Sequence, residues 1–246
     1  MKSVITFAEY SDPGGRPVNE DSICSFVNGQ NHGFVLCDGL GGMGMGDQAS
    51  RLVVQVFQNM FMKAGKMSHF LPEAFQAAQD VLTAEQKHLH AEERMKTTAV
   101  AMVTDQKKLY VGHIGDSRAY LFKDNKVLWR TLDHSIPQML ALTGEIQESE
   151  IRNHKNRSII LRTMGITWDE PMYELAKPVS VSKCDAVLLC SDGFWELIED
   201  EDMCVLLSQA RSPREWLDEM ASVVKRNGAG RDMDNNSAIA VWIAKE

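Results

Sequence analysis

Several things are scarce in this 246-residue chain, and each scarcity excludes something. There is no excess of basic residues: 26 Lys and Arg stand against 34 Asp and Glu, a formal net charge of −8. Nucleic-acid binding depends on Lys and Arg neutralising phosphates, so nucleic acid is not an expected partner. No apolar run approaches the ~18 residues that span a bilayer, so no membrane segment is expected. The N-terminus carries a single Lys, then an alternating run, then Glu9, and reads as a first strand and not as a signal peptide. The five cysteines form no CxxC pair, and Cys37 and Cys190 lie inside apolar runs. They read as reduced thiols used as small hydrophobes, which points to a reducing, cytoplasmic setting. No His/Cys group has the ligand spacing of a zinc site. Low-complexity linkers, repeats and composition breaks are also missing, so residues 1–246 are expected to form one domain.

What the chain has is acid at the ends of strands. The run Ala186-Val187-Leu188-Leu189-Cys190 leads through Ser191 to Asp192-Gly193. A continuous hydrophobic run of that length reads as a strand buried on both faces. The pattern recurs where residues 34–37 meet Asp38-Gly39 and where residues 109–114 meet Gly115-Asp116. Glu20-Asp21 and Asp234 instead precede strand-like runs, at 22–27 and 238–243. If strands that begin with acid run antiparallel to strands that end with it, all these carboxylates emerge at one sheet edge. The turn residues at 28–33 favour a hairpin there, setting Asp21 beside Asp38. Converging anions repel and push their pKa values upward. Bound cations relieve that strain, and an all-oxygen donor set suits Mg²⁺ or Mn²⁺.

Between these acids, residues 11–21 form a loop rich in Pro and Gly, and a glycine-rich run, 39–46, follows Asp38. Helical spacing predicts a helix capped by Asp47 and ended by Gly65, and a second helix over about 72–93. Residues 97–103, 109–114, 118–122 and 127–130 read as antiparallel strands. From 133 to 165 the pattern weakens to two helical pieces, 136–142 and 147–154, read as a flap over about 135–165 beside the site. A strand near 172–175, a short helix over 200–207 and a final helix follow. That last helix has Ser212 as N-cap, Pro213 in its first turn, Glu215 closing a capping box and Gly228 past its end. Arg16, four residues before Glu20, either forks onto a phosphate or closes a salt bridge to Asp12 or Glu20. His113 and His134 read either as proton donors or as hydrogen-bonded structural residues.

Ordered motifs then match a known family. Arg16-Pro17-Val18-Asn19-Glu20-Asp21-Ser22, Asp38-Gly39-Leu40-Gly41-Gly42, Gly115-Asp116-Ser117-Arg118, Asp133-His134-Ser135, Arg162-Thr163-Met164-Gly165, Ser191-Asp192-Gly193 and Asp234-Asn235-Asn236-Ser237 follow one another along nearly the whole chain. In this the sequence resembles the metal-dependent Ser/Thr protein phosphatases of type 2C in their bacterial form. The resemblance implies an α+β fold, a four-layer αββα sandwich of two antiparallel sheets with helix pairs outside. It implies two Mn²⁺ or Mg²⁺ ions bridged by Asp38, with Gly39 lending its carbonyl, Asp192 and Asp234 completing one ion and Glu20 helping to hold the other. Asp116 would join a third, weaker site, Asp21 would order the water network, and Arg16 would bind substrate phosphate. The implied reaction is hydrolysis of phosphoserine and phosphothreonine by a bridging water, on targets of a bacterial Ser/Thr kinase or on the kinase itself. Leu40 stands where eukaryotic relatives carry a His, and Glu196 where some use Asp for the third metal. An inactive phosphoprotein-binding module and a small phosphate-ester hydrolase are the competing readings.

Overall fold

The computed structural model describes residues 3–40 and 44–245. Gly41, Gly42 and Met43 of the glycine-rich run lie outside the described residues. The strands are β1 (Ser3–Asp12), β2 (Asp21–Asn28), β3 (Asn31–Asp38), β4 (Ala99–Thr104), β5 (Lys108–Ile114), β6 (Arg118–Lys123), β7 (Lys126–Arg130), β8 (Glu174–Leu175), β9 (Val179–Ser180), β10 (Ala186–Cys190) and β11 (Asn236–Lys245). The helices are α1 (Gly46–Phe61), α2 (Met67–Leu89), α3 (Ile136–Thr143), α4 (Asp192–Trp195), α5 (Asp200–Gln209) and α6 (Pro213–Gly228). One sheet runs β1-β11-β10-β6-β7 and the other β2-β3-β4-β5-β8, with β9 also on β5. All the pairings are antiparallel.

The period-2 geometry of strands explains the layers. In β10, Val187 and Leu189 face the other sheet and meet Phe34, Leu36, Val100 and Met102 in a central core. Their neighbours Ala186, Leu188 and Cys190 point the opposite way, against Trp216, Leu217 and Met220 of α6. The second sheet does the same: Val35, Cys37 and Ala101 pack under Phe57 and Phe61 of α1 and Phe75 of α2. Because both faces of both sheets are covered, the central strands read as unbroken apolar runs. The expected α+β, αββα sandwich is the fold observed.

Boundaries differ from the sequence expectation in physically clear ways. Met45 occupies the cap position of α1, so Asp47 lies in its first turn, and the helix stops at Phe61. Helix α2 starts five residues before Pro72 and ends at His90, which takes a left-handed conformation (φ 51°). Proline inside a helix forfeits a hydrogen bond, but Met67, Phe70 and Leu71 bury their side chains and carry the helix through it. The strand expected near 172–175 is reduced to β8, and a second short piece, β9, follows it along β5 without having been expected. In the flap only α3 and one tight turn (Glu148–Glu150) are helical. In α6 Ser212 Oγ accepts from the Glu215 N–H (3.1 Å), while Glu215 reaches back to the N–H of Arg211 (2.8 Å), not to that of Ser212. Gly228 is the last helical residue and not the one beyond it.

Candidate metal centre and active site

The hairpin of β2 and β3 turns through Gly29 (φ 62°) and Gln30, and its register pairs Asp21 with Asp38. Strand β3 therefore delivers Asp38 to the sheet edge where β2 begins. The Asp38 N–H donates to Thr98 Oγ1 (3.0 Å), and its carbonyl accepts from Thr98 N–H (2.8 Å) and Thr97 Oγ1 (2.8 Å). Gly39 then donates its N–H to the Glu20 carbonyl (3.1 Å). A side chain at Gly39 would put Cβ 2.3 Å from the Gly46 carbonyl oxygen, so glycine is required by close backbone approach. In the other sheet β10 ends at Cys190, and Asp192 opens α4 immediately afterwards. Asp234 sits just before β11, which lies beside β10, so both carboxylates reach the same edge.

One side chain joins the loop at 12–20 to this edge. Asn235 accepts the Glu20 N–H (2.8 Å) and donates to the carbonyls of Pro13 (2.9 Å) and Val18 (3.0 Å). An open cleft of about 1080 Å³ results, floored by Glu20, Asp38, Gly39, Asp116, Asp192 and Asp234, with Arg16 at its wall. Asp21 is brought close but does not line the cleft. It is buried behind the floor, where Ser191 Oγ donates to its Oδ2 (2.9 Å).

Burial and crowding act on these acids together. Desolvation, then Asp21 and Asp192, push the Asp38 carboxyl well above the usual range. Asp116 is raised by burial and by Asp192, and Asp192 by burial and by Asp234. Asp21 is pushed up to about 7 by burial, against hydrogen bonds from Ser237 and Ser191 that lower it. Glu20 is raised mainly by desolvation, although the N–H groups of Gly46 and Asp47 at the start of α1 favour its charged form. Asp21 Oδ1 and Asp116 Oδ1 are buried without any hydrogen-bond partner. Asp21 Oδ1 lies behind the floor, but the orphaned Asp116 Oδ1 lines the cleft, and in an all-oxygen set of carboxylates it fits hard divalent cations such as Mg²⁺ or Mn²⁺.

Arg16 bonds neither Asp12 nor Glu20. Its Nε and Nη2 form a fork on Asp234 (3.2 and 3.3 Å), and Nη1 donates to Asp232 (3.2 Å). These partners lie more than 200 positions away in the chain, beyond any local spacing argument.

A second buried network supports Asp116, and no local sequence signal announces it. Arg118 forms a bidentate pair with Asp133 (2.8 and 2.6 Å), both side chains almost fully buried. The guanidinium carbon lies 3.3 Å from the centroid of the Trp195 ring, a cation–π contact. Trp195 in turn donates its indole N–H to the Asp116 carbonyl (3.0 Å). Next to it, Glu196 is pushed up to about 7 by burial and by Asp192, and Arg157 of the flap donates to it (3.0 Å).

Both histidines are engaged. His113 Nε2 donates to the Leu132 carbonyl (2.7 Å), and its ring stacks on His134 at 4.6 Å. His134 Nδ1 accepts the Gly115 N–H (3.2 Å), which leaves the proton on Nε2, 3.3 Å from Glu174 Oε1 without hydrogen-bond geometry. His113, His134 and Glu174 bring ligand atoms within 4.8 Å of one another. A cation on His134 Nε2 would need Nδ1 to become a donor. Nδ1 faces an N–H, so the trio is a poor metal site. The two rings therefore fit the structural alternative.

Comparison with known proteins agrees with this geometry. The family model for protein phosphatase 2C matches residues 15–236. The serine/threonine phosphatase stp of Listeria welshimeri is 30% identical over 235 residues, covering 91% of this chain and 89% of the relative. The serine/threonine protein phosphatase PstP of Mycobacterium tuberculosis is 31% identical over 201 residues, which are 80% of this chain and 38% of that protein. Among solved structures, Stp1 from Staphylococcus aureus superposes with a TM-score of 0.89 at 26% identity, covering 98% of this chain and 96% of that one. The catalytic domain of PstP in complex with two manganese ions gives a TM-score of 0.81 at 26% identity, covering 99% and 100%.

Proposed function

The chain belongs to the protein phosphatase 2C family, and on that footing we propose that its acidic cleft hydrolyses phosphoserine and phosphothreonine in proteins with divalent cations as cofactor. The observation that carries the reading is the convergence of Glu20, Asp38, Asp116, Asp192 and Asp234 on one cleft, backed by the buried Asp116 Oδ1, which lacks a hydrogen-bond partner. Two Mn²⁺ or Mg²⁺ ions fit this donor set. Asp38 would serve both, the Gly39 carbonyl would help hold the pair, Asp192 and Asp234 would complete one and Glu20 would help hold the other, with Asp116 contributing to a third. Bound there, such ions supply a nucleophile from water at neutral pH and offset charge on phosphoryl oxygens.

The chain's own groups do the rest. Three of Arg16's N–H groups are spent on Asp232 and Asp234, so two of the five that a guanidinium carries remain for a phosphoryl oxygen. Asp21 acts from behind the floor, holding Ser191 and through it the turn that presents Asp192. Leu40 lines the cleft without any titratable group, so protonation of the departing serine or threonine oxygen falls to water or to another group of the cleft. The fold from residue 3 to 245 acts as one catalytic domain, with the flap at 135–165 forming part of the cleft wall. Its substrates are phosphoproteins, a reading that the relatives' names as serine/threonine phosphatases support. The substrates we propose are targets of a bacterial Ser/Thr kinase or the kinase itself. Free thiols at all five cysteines fit a cytoplasmic location. Among the described residues no helix is long and apolar enough to cross a membrane.

The test is release of phosphate from phosphoserine and phosphothreonine peptides with Mn²⁺ added. We expect turnover that stops in EDTA and is nearly lost in Asp38→Asn and Asp192→Asn. Full activity in EDTA or in either variant would overturn the assignment, and turnover of free nucleotides in preference to phosphopeptides would redirect it to small esters.

A further inference from the structure

The cleft floor is anionic, but much of its wall is aliphatic. Val18 of the loop at 12–20 is 51% exposed and Ile159 of the flap 44% exposed, and both line the cleft. Leu40, Ile160 and Ile166 line it too, each only partly buried. Large aliphatic side chains gathered around one cleft and left in water mark a surface that gains by being covered.

The backbone that carries these side chains is held in place. The Val18 carbonyl is tied by Asn235 (3.0 Å). In the flap the Ile159 carbonyl accepts from the Ile136 N–H at the start of α3 (3.1 Å), the Leu161 N–H donates to the His134 carbonyl (2.7 Å), and Ser135 pairs with Ile160. A wall pinned in this way loses little further entropy when a ligand covers it.

Charge at the rim is already paired within the chain. Asp47 holds Arg51 (2.8 Å), Lys96 holds Glu93 (2.8 Å) and Asp232 holds Arg16 (3.2 Å). Arg16 and Lys96, the cations that line the cleft, are thus already engaged by the chain's own acids, which leaves an acidic neighbour of the phospho-residue without a ready partner there.

We infer that this phosphatase selects phospho-residues flanked by aliphatic side chains, which Val18 and Ile159 cover while the phosphate enters the acidic floor. The inference rests on the phosphatase reading and adds its specificity. Covering an aliphatic side chain in such a wall is worth about a tenfold change in kcat/KM.

The experiment uses the full chain with Mn²⁺ and three phosphoserine peptides that differ only in the two residues on each side: leucine, alanine or aspartate. The leucine-flanked peptide should exceed the alanine-flanked one by about tenfold in kcat/KM, with the aspartate-flanked one slowest. In the double variant Val18→Ala, Ile159→Ala the leucine-to-alanine ratio should fall to about twofold or less. The ratio is measured within one preparation, so loss of folded protein lowers both peptides alike and leaves it unchanged. Equal hydrolysis of all three peptides, a preference for aspartate, or a ratio that survives in the double variant would overturn the specificity while leaving the phosphatase reading intact. If no peptide is hydrolysed under any metal condition, both readings fail together.

Discussion

Neutralising one buried carboxylate should stabilise the metal-free protein while weakening its activity, and Asp21→Asn is the cleanest place to see this. Asp21 lies behind the cleft, with Oδ2 bonded to Ser191 and Oδ1 buried without a partner. Burial raises its carboxyl to about 7 in the fold. In the unfolded chain an Asp titrates near its ordinary value of ~3.9. The native state therefore binds this proton more tightly than the unfolded state does. Its contribution to stability is fully present below about pH 4 and is lost as pH rises through about 7. Above that range, forcing the charge costs the fold about 4 kcal/mol, an upper figure because neighbouring carboxylates share protons. Asparagine has the same shape, can keep the Ser191 bond through its oxygen, and carries no charge to bury. We expect Asp21→Asn in EDTA at about pH 8 to gain about 1–4 kcal/mol, which is roughly 2–4 °C in Tm per kcal/mol for a chain of this size. The assay is differential scanning calorimetry in EDTA at pH values from about 5 to 8, with the gain shrinking toward the acid end. Added Mn²⁺ should raise the wild-type Tm at the alkaline end. A variant that melts at or below wild type at the alkaline end in EDTA, or a gain that does not change with pH, would refute the reasoning.

Three further outcomes follow from the geometry. Arg118→Ala leaves Asp133 charged and buried without its partner, so chemical denaturation should show a loss of about 3–5 kcal/mol. Asn235→Ala removes the bonds to Glu20, Pro13 and Val18; calorimetric titration should show weaker Mn²⁺ binding, with a stability loss of about 1–3 kcal/mol in denaturant. His134 is held down near 4 by burial and by His113, against an ordinary value of 6.5, so it resists protonation in the fold. Its share of stability is present above about pH 6.5 and lost as pH falls toward about 4, and His134→Gln should flatten the acid limb of a Tm–pH curve.

Much of the fold was legible because strands buried on two faces leave a strong mark. The run at 186–190 is strand β10 with the bounds that its apolar residues suggest, and the hairpin that sets Asp21 opposite Asp38 follows from the turn residues at 28–33, although the turn itself is tighter, with β3 beginning at Asn31. The gathering of acids at one edge followed from antiparallel pairing and from the positions of Glu20, Asp38, Asp192 and Asp234 relative to their strands. Contacts between distant segments left no such mark. Asn235 stands in a recognisable motif, yet nothing local says that its amide reaches Pro13, Val18 and Glu20. The grip of Arg118 on Asp133 and Trp195 likewise exists only once the sheets are assembled. Helix α2 was misread at its start because proline's local rule was outweighed by burial of Met67, Phe70 and Leu71.

Strand β11 lies between β1 and β10, although β1 opens the described chain and β11 closes it. During synthesis, then, β1 must wait without its partner strand until β11, more than 200 residues later, has emerged from the ribosome. Asp234 and Asn235 arrive with β11, so the last of the cleft's anions and the tie on the Arg16 loop come at the same moment. The acidic cleft is complete only once β11 has entered between β1 and β10.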